Sequence, residues 1–314
     1  MNELTPRLTI AQFANLMKVT PQAIHKQLKL KNIHPPKVGK YSFIHHLISR
    51  EWLQYEYNKQ TVAFHIVKGG TGKTTTVHNC AACLNALGAK VLLIDIDPQA
   101  NLTTAFNILS YKKPVLIDIF REGIPLTEAI VEISPGLDIL PSSITNVVID
   151  NLLSVESWPL EKIFPKLLKD VKDIYDFILI DCPPAIGNIV TSAYLGSDKV
   201  IAVLAPDKFS AQGLDILHNE IQNIKEKYDR EVLYNIFLNK YKSNTVLSEK
   251  AITSIYSSNK YSNKTLESAI RFAQDIANYA DQNKHLFTNL TSYPVKNDYL
   301  SLTMELFNIN LIDK

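Results

Sequence analysis

Apolar residues in this chain follow two spacings, and the change between them marks its organisation. Over residues 9–57 they recur three and four positions apart in short segments, 9–17, 19–28 and 47–57, which predicts small amphipathic helices. From residue 62 onward, short runs rich in apolar residues (62–67, 91–94, 137–140, 177–180, 200–204 and 233–238) alternate with stretches of helical spacing. Near-continuous apolar runs of that length are the pattern of strands buried on both faces. Their alternation with helices predicts an α/β fold, a mostly parallel twisted sheet with helices on both faces. Shorter helices are expected at 115–120, 127–132, 146–153 and 160–172, and a final one at 299–311.

Local signals sharpen the first part. Thr9 is placed to cap the first helix, and Thr20 to cap the second with Pro21 at its first position. The pair resembles a helix-turn-helix, with Ala14 at the close approach and Phe13, Met17, Val19, Ile24 and Leu28 as its core. Lys18 stands where such turns often carry Gly. The second helix would present Gln22, His25, Lys26 and Lys29, side chains suited to base edges and phosphates. Residues 35–43 suggest a hairpin around Gly39-Lys40 that resembles the wing of excisionase-like or MerR-like domains, bringing Lys37 and Lys40 near a phosphate backbone. The expected division is a winged helix-turn-helix DNA-binding domain over 1–58 and an α/β domain over 59–314.

The strongest chemistry lies at Lys68-Gly69-Gly70-Thr71-Gly72-Lys73-Thr74-Thr75, between an apolar run and a helical stretch. Glycines let the backbone wrap an anion, and the following helix N-terminus points its amides at it. Lys73 supplies a charge for the β/γ-phosphates and Thr74 a hydroxyl for Mg²⁺. Two further runs end in acids: Asp95 and Asp97 in Asp95-Ile96-Asp97-Pro98-Gln99, and Asp181 in Asp181-Cys182-Pro183-Pro184. Ligand sites of parallel sheets lie at such carboxyl ends.

These blocks resemble the deviant Walker-A family of dimerising ATPases, the ParA/MinD group, whose loop has the pattern KGGxGKT. The resemblance covers residues 62 to about 310 and implies ATP and Mg²⁺ as cofactors and a homodimer in the ATP state. It makes Lys68 the lysine that reaches the partner's phosphates and Lys73 the one that serves its own. It gives Asp97 the attacking water, with Asp95 and Asp181 supporting Mg²⁺ mainly through water. Asn239 is the expected contact to the adenine edge. Lys242 stands where guanine-specific folds place an Asp after the Asn-Lys pair, which favours ATP. The expected function is plasmid or replicon partition, with nonspecific DNA contact through basic residues such as Lys260, Lys264 and Arg271. A ParB-type centromere-binding partner would stimulate hydrolysis, and the N-terminal domain could repress its own operon. A MinD-like positioning ATPase, a nucleotide-switched transcription regulator and a metabolic ligase of the same superfamily are the rival readings.

Composition changes this picture little. The chain has 314 residues, 46% of them hydrophobic, and a net charge of +2, so DNA contact must come from local patches rather than global charge. Three cysteines do not make a disulfide framework, and Cys80 and Cys83 fall inside a helix as packing residues. Without a signal or membrane-length apolar run, a cytoplasmic, nucleoid-associated protein is expected. The last helix carries Glu305 and lacks the basic face of a membrane-surface helix.

Overall fold

The structure is a computed structural model that describes residues 3–38, 41–109, 113–242, 245–288 and 294–309. The chain opens with β1 (Arg7–Thr9), α1 (Ile10–Leu16), α2 (Pro21–Leu30), β2 (Lys37–Val38), β3 (Tyr41–His45) and α3 (His46–Leu53). The first half of the α/β part contains β4 (Gln60–Phe64), α4 (Lys73–Ala86), β5 (Val91–Asp95), α5 (Asn101–Ala105), α6 (Leu116–Glu122) and α7 (Leu126–Ala129). Next come β6 (Val131–Ser134), β7 (Leu137–Leu140), α8 (Ile149–Val155), α9 (Leu160–Leu167) and β8 (Phe177–Asp181). The chain closes with α10 (Asn188–Gly196), β9 (Lys199–Leu204), α11 (Lys208–Tyr228), β10 (Leu233–Leu238), α12 (Val246–Tyr256), α13 (Gln274–Asp281) and α14 (Pro294–Leu306).

The large sheet has seven strands in the order β10-β9-β4-β8-β5-β7-β6, parallel except for β6 at one edge. Alternation along each strand splits the core into two layers. Val62, Phe64, Leu93, Leu179 and Phe237 face α4 and α14, whereas Ala63, Leu92, Ile94, Ile180 and Ala202 face α8 to α11. The α/β architecture inferred from the apolar runs is therefore present. The central strands β8 and β5 are flanked on both sides and buried along their whole length, which is why they are nearly all apolar.

The N-terminal elements form a three-stranded antiparallel sheet, β1-β3-β2, carrying α1, α2 and α3. Thr9 makes a capping box with Gln12, and Thr20 caps α2 above Pro21. Lys18 takes the left-handed backbone (φ 54°) that favours glycine, at a cost of roughly 1 kcal/mol. This unit is docked tightly on the α4 side of the large sheet: Leu8, Phe13, Ile48 and Trp52 belong to the same buried layer as Val77, Cys83 and Phe177. Arg50 donates to Gly88 O at 2.9 Å and to Asp176 at 2.6 Å, and Tyr57 donates to Leu87 O at 2.8 Å. Gly88 is required there, since its φ is +104° and a Cβ would come within 2.5 Å of the Arg50 backbone nitrogen.

Several local expectations need correction. The 127–132 helix stops at Ala129, and Val131 and Glu132 instead begin β6, because the run pairs antiparallel with β7. The 160–172 helix ends at Leu167. The last helix starts five residues early, at Pro294, whose fixed φ suits a first helical turn, and ends at Leu306 before Asn308 turns left-handed. Residues 144–148 are 3₁₀ rather than α before α8 begins.

Candidate nucleotide site

The carboxyl ends of β4, β8 and β5 converge on one cleft of about 500 Å³. Its floor is the loop 68–72, in which Gly70 (φ 77°) and Gly72 (φ 93°) adopt left-handed conformations that point successive amides inward. Gly69, Gly70, Gly72, Lys73, Thr74 and Thr75 line it, and α4 starts at Lys73 with Gly72 as its cap. Fourteen residues of α4 thus aim their positive end at the cleft. Thr71 is buried, with a side-chain oxygen that lacks a hydrogen-bond partner among the described residues.

Lys73 is buried against the loop, its ammonium 3.4 Å from Lys68 O. Burial lowers its pKa, while Asp181 and Asp97 nearby oppose that shift. Lys68, at the front of the loop, forms an ion pair with Asp207, which follows β9. The two lysines therefore part company: one faces the cleft, the other is held at its rim.

The acids differ as sharply. Asp97 lines the cleft and accepts a hydrogen bond from Gln99 N at 2.9 Å, which orients its carboxylate. Asp95 is fully buried, with both oxygens engaged by Asp97 N (3.2 Å), Thr103 N (3.0 Å) and the Thr103 hydroxyl (2.7 Å). Burial pushes Asp95 up to about 7 against these donors. Asp181 sits between Phe64 and Asp95 in register, fully buried, and among the described residues neither of its oxygens has a hydrogen-bond partner. Burial and then Asp95 push its pKa well up, while the Thr74 hydroxyl and Lys73 pull the other way. A buried, orphaned carboxylate beside a threonine hydroxyl is the chemistry of a hard divalent cation, and such an ion would reverse the electrostatics that burden both acids. Mg²⁺ therefore fits at Thr74 and Asp181, with Asp95 bracing the loop behind.

Asn239 is buried and donates to Thr71 O at 2.8 Å, while its carbonyl accepts from Lys240 N at 2.9 Å. Its amide is thus spent on bracing the loop. The neighbouring Lys240, in left-handed backbone, reaches Gly70 O at 2.6 Å and lines the cleft. The outer wall is Ile276, Tyr279 and Ala280 of α13, with Asn283 and Lys284 after it. None of this wall was identified from sequence. Its residues have ordinary helical spacing, and only the fold brings α13 over a loop two hundred residues earlier.

The basic residues expected at DNA lie elsewhere. Gln22, His25, Lys26 and Lys29 share the exposed face of α2, and Lys37 is exposed on β2. Lys40 lies outside the described residues. Lys260 pairs with Asp215 at 3.1 Å, and Arg271 is held by both oxygens of Asp298 at 2.6 and 2.8 Å. Lys264 sits over the Tyr234 ring, 5.4 Å from its centroid.

A phosphate-cradling loop after β4, beside acids at the carboxyl ends of β8 and β5, defines a P-loop nucleotide-binding protein. The AAA_31 family model, an AAA domain, matches residues 59–234. The virulence plasmid ParA family protein pGP5-D of Chlamydia psittaci is 31% identical over 256 residues, covering 79% of this chain and 95% of that protein. Among solved structures, the ATP complex of a Cyanothece McdA variant superposes with a TM-score of 0.72 at 18% identity, covering 82% of this chain and 100% of the other. Cobyrinic acid a,c-diamide synthase from Mycobacterium smegmatis, with bound ATP analogue and magnesium, gives a TM-score of 0.67 at 21% identity over 79% of this chain and 94% of its own. Both superpositions are likenesses of fold. The chain belongs to the ParA family.

Proposed function

We propose that this chain is a ParA-type partition ATPase that binds ATP and Mg²⁺, pairs with a second copy, and holds DNA without sequence preference until hydrolysis releases it. The observation that carries the reading is the division of labour in the cleft: Lys73 and Asp97 face it, Asp181 is orphaned beside Thr74, and Lys68 stands at its rim. Relatives named for chromosome partitioning and neighbours solved with ATP or its analogue support the same assignment.

The loop amides and Lys73 hold the β/γ-phosphates, and Thr74 with Asp181 holds the metal shell. Mg²⁺ held there would supply positive charge to offset the charge that develops on the phosphates during transfer. Asp97, fixed by the Gln99 amide, orients the attacking water. Ile276 and Tyr279 wall the base, and Asn239 keeps the loop beneath it in place. Lys68 exchanges Asp207 for the partner's phosphates when two copies close around the nucleotides. Residues 1–58 act as a winged helix-turn-helix that reads DNA with Gln22, His25, Lys26 and Lys29, supported by Lys37 and Lys40. Lys260, Lys264 and Arg271 are the proposed nonspecific contacts in the C-terminal part. A ParB-type centromere-binding protein is the proposed stimulator, and the nucleoid the site of residence.

Binding to unrelated duplex DNA at two salt concentrations, with ADP or ATP, tests the reading. ATP-dependent binding that weakens steeply with salt is expected, because phosphate contacts release counterions. Nucleotide-independent binding confined to one operator would point to a transcription regulator instead.

A further inference from the structure

His65, one residue beyond β4 and three before Lys68, is wholly buried and has no part in the phosphate chemistry described so far. Its backbone continues the sheet, donating to Ile201 O at 3.0 Å. Its ring spans two other parts of the fold. Nε2 lies 3.1 Å from Ala185 O, and Nδ1 lies 2.5 Å from the Tyr194 hydroxyl of α10. A carbonyl can only accept, so Nε2 carries the proton. Nδ1 must then accept from the Tyr194 O–H, which leaves a single tautomer in a directed chain Tyr194→His65→Ala185. Burial, aided by Lys73, pushes the imidazole down to about 3, so the ring stays neutral and the direction of the chain holds.

Ala185 belongs to the loop between Asp181 and α10. On one side of that loop Pro184 lines the nucleotide cleft. On the other, Ile186 and Gly187 line a separate cleft of about 340 Å³ between α8, α10 and α11. The near end of the loop is held by the sheet, where Cys182 N donates to Phe64 O at 3.2 Å. The far end is pinned by Asp150, which accepts from Ile189 N at 2.8 Å and whose carboxylate packs where a Cβ on Gly187 would sit, 2.2 Å away. Between these two anchors, the imidazole of His65 is what ties the middle of the loop to the segment that leads into the phosphate-binding loop.

We propose that His65 is a positioning residue for ATP hydrolysis: it locks the 182–187 loop to the strand carrying the phosphate-binding loop, so that Pro184 keeps its place at the nucleotide, while Asp181 is held by β8 itself. The proposal rests on the ATPase reading above. A side chain that positions the loop affects turnover more than nucleotide binding, since the amides and Lys73 that grip phosphate are untouched. A side chain that merely fills space affects stability alone.

The test compares His65→Phe, which keeps the ring but loses both nitrogens, with His65→Gln, whose amide N–H can reach the Ala185 carbonyl, and with Tyr194→Phe. The full-length chain is assayed for steady-state ATP hydrolysis with DNA present, for affinity toward a fluorescent non-hydrolysable ATP analogue, and for thermal stability. The expected result is kcat lowered about tenfold in His65→Phe, as for a misplaced but intact reacting geometry, with analogue affinity within about twofold. His65→Gln should recover most of that loss and Tyr194→Phe should lie between. If His65→Phe does not fold, the split between kcat and analogue affinity in the other two variants decides the matter. Unchanged kcat in all three variants, with only stability reduced, would overturn the proposal. A wild-type chain that binds the analogue but hydrolyses nothing, or binds none, would overturn the ATPase reading itself, an outcome distinct from failure of the variants.

Discussion

Asp176 and Asp181 stand at opposite ends of β8, five positions apart, both buried and both flanked by apolar residues. Asp176, just before the strand, is saturated. It accepts from Arg50 at 2.6 Å and Lys90 N at 2.7 Å, and its backbone carbonyl from Gln60 N at 3.1 Å. Asp181, at the strand's end, has no hydrogen-bond partner on either oxygen among the described residues. The same side chain on the same strand is structural at one end of the sheet and available for chemistry at the other. Burial does not distinguish them; partners do. An unpartnered carboxylate inside a protein is costly unless something outside the chain satisfies it, and that demand marks the cleft end as the functional one.

The comparison breaks most directly at the cleft. Lys73→Ala should lower ATP hydrolysis by about 100-fold or more, the scale for removing a donor aimed at developing phosphate charge. Steady-state phosphate release measures this, and a loss of only a few-fold would show that the loop is not the reacting site. Asp181→Asn should weaken Mg²⁺ about 10- to 100-fold, the range for groups that hold a metal's outer shell. A Mg²⁺ titration of fluorescent-nucleotide binding reads it directly, and unchanged affinity would leave the orphaned carboxylate without a role.

At the other end of the sheet the effects fall on stability. Gly88→Ala forces a Cβ against the Arg50 backbone in left-handed geometry and should destabilise by about 1–3 kcal/mol. Arg50→Ala should cost about 1.5 kcal/mol, at the low end for a charged hydrogen bond because the side chain is 39% exposed. Denaturant unfolding measures both, and nucleotide affinity should not follow either change.

The smallest effect separates paired from available cations. Arg271 is paired with Asp298 in the free chain and must leave that pair to meet a phosphate, so Arg271→Ala should lower DNA affinity by only about twofold. Lys29→Ala, on the exposed face of α2, should lower the salt slope of DNA binding by about one if it meets a phosphate. Equal losses from the two variants would erase the distinction.

How much of this could be seen in the sequence follows the same division. The loop 68–75 and the strand-end acids were legible because backbone geometry and strand length impose them locally: glycines at fixed spacing, apolar runs, an acid where the run stops. Thr9, Thr20 and Pro21 likewise announced their helices through capping chemistry. What the sequence could not show was which acid keeps a partner. Arg50 and Asp176 are 126 positions apart, and Arg271 and Asp298 look like ordinary surface charges. Asn239 is legible as the Asn of an Asn-Lys pair, expected at the adenine edge, but its amide braces Thr71 across 168 positions, while Lys240 beside it reaches the cleft. His65 passed as part of an apolar run because its two partners lie in a loop and a helix more than a hundred positions later. Edge strand β6 was missed because pairing with β7, and not the local pattern, makes Val131–Ser134 extended.

The proposed completion of the nucleotide site by a second copy of the chain, with Lys68 leaving Asp207 to reach across, can be checked by the mass of the nucleotide-bound species. The most direct measurement is sedimentation of Asp97→Ala, which should hold ATP without turning it over, with ADP or ATP, and again with Lys68→Ala added. A monomer with ADP, a dimer with ATP, and a return to monomer with ATP once Lys68 is removed are the expected results. A single species whatever the nucleotide, or an ATP dimer indifferent to Lys68→Ala, would contradict the proposal.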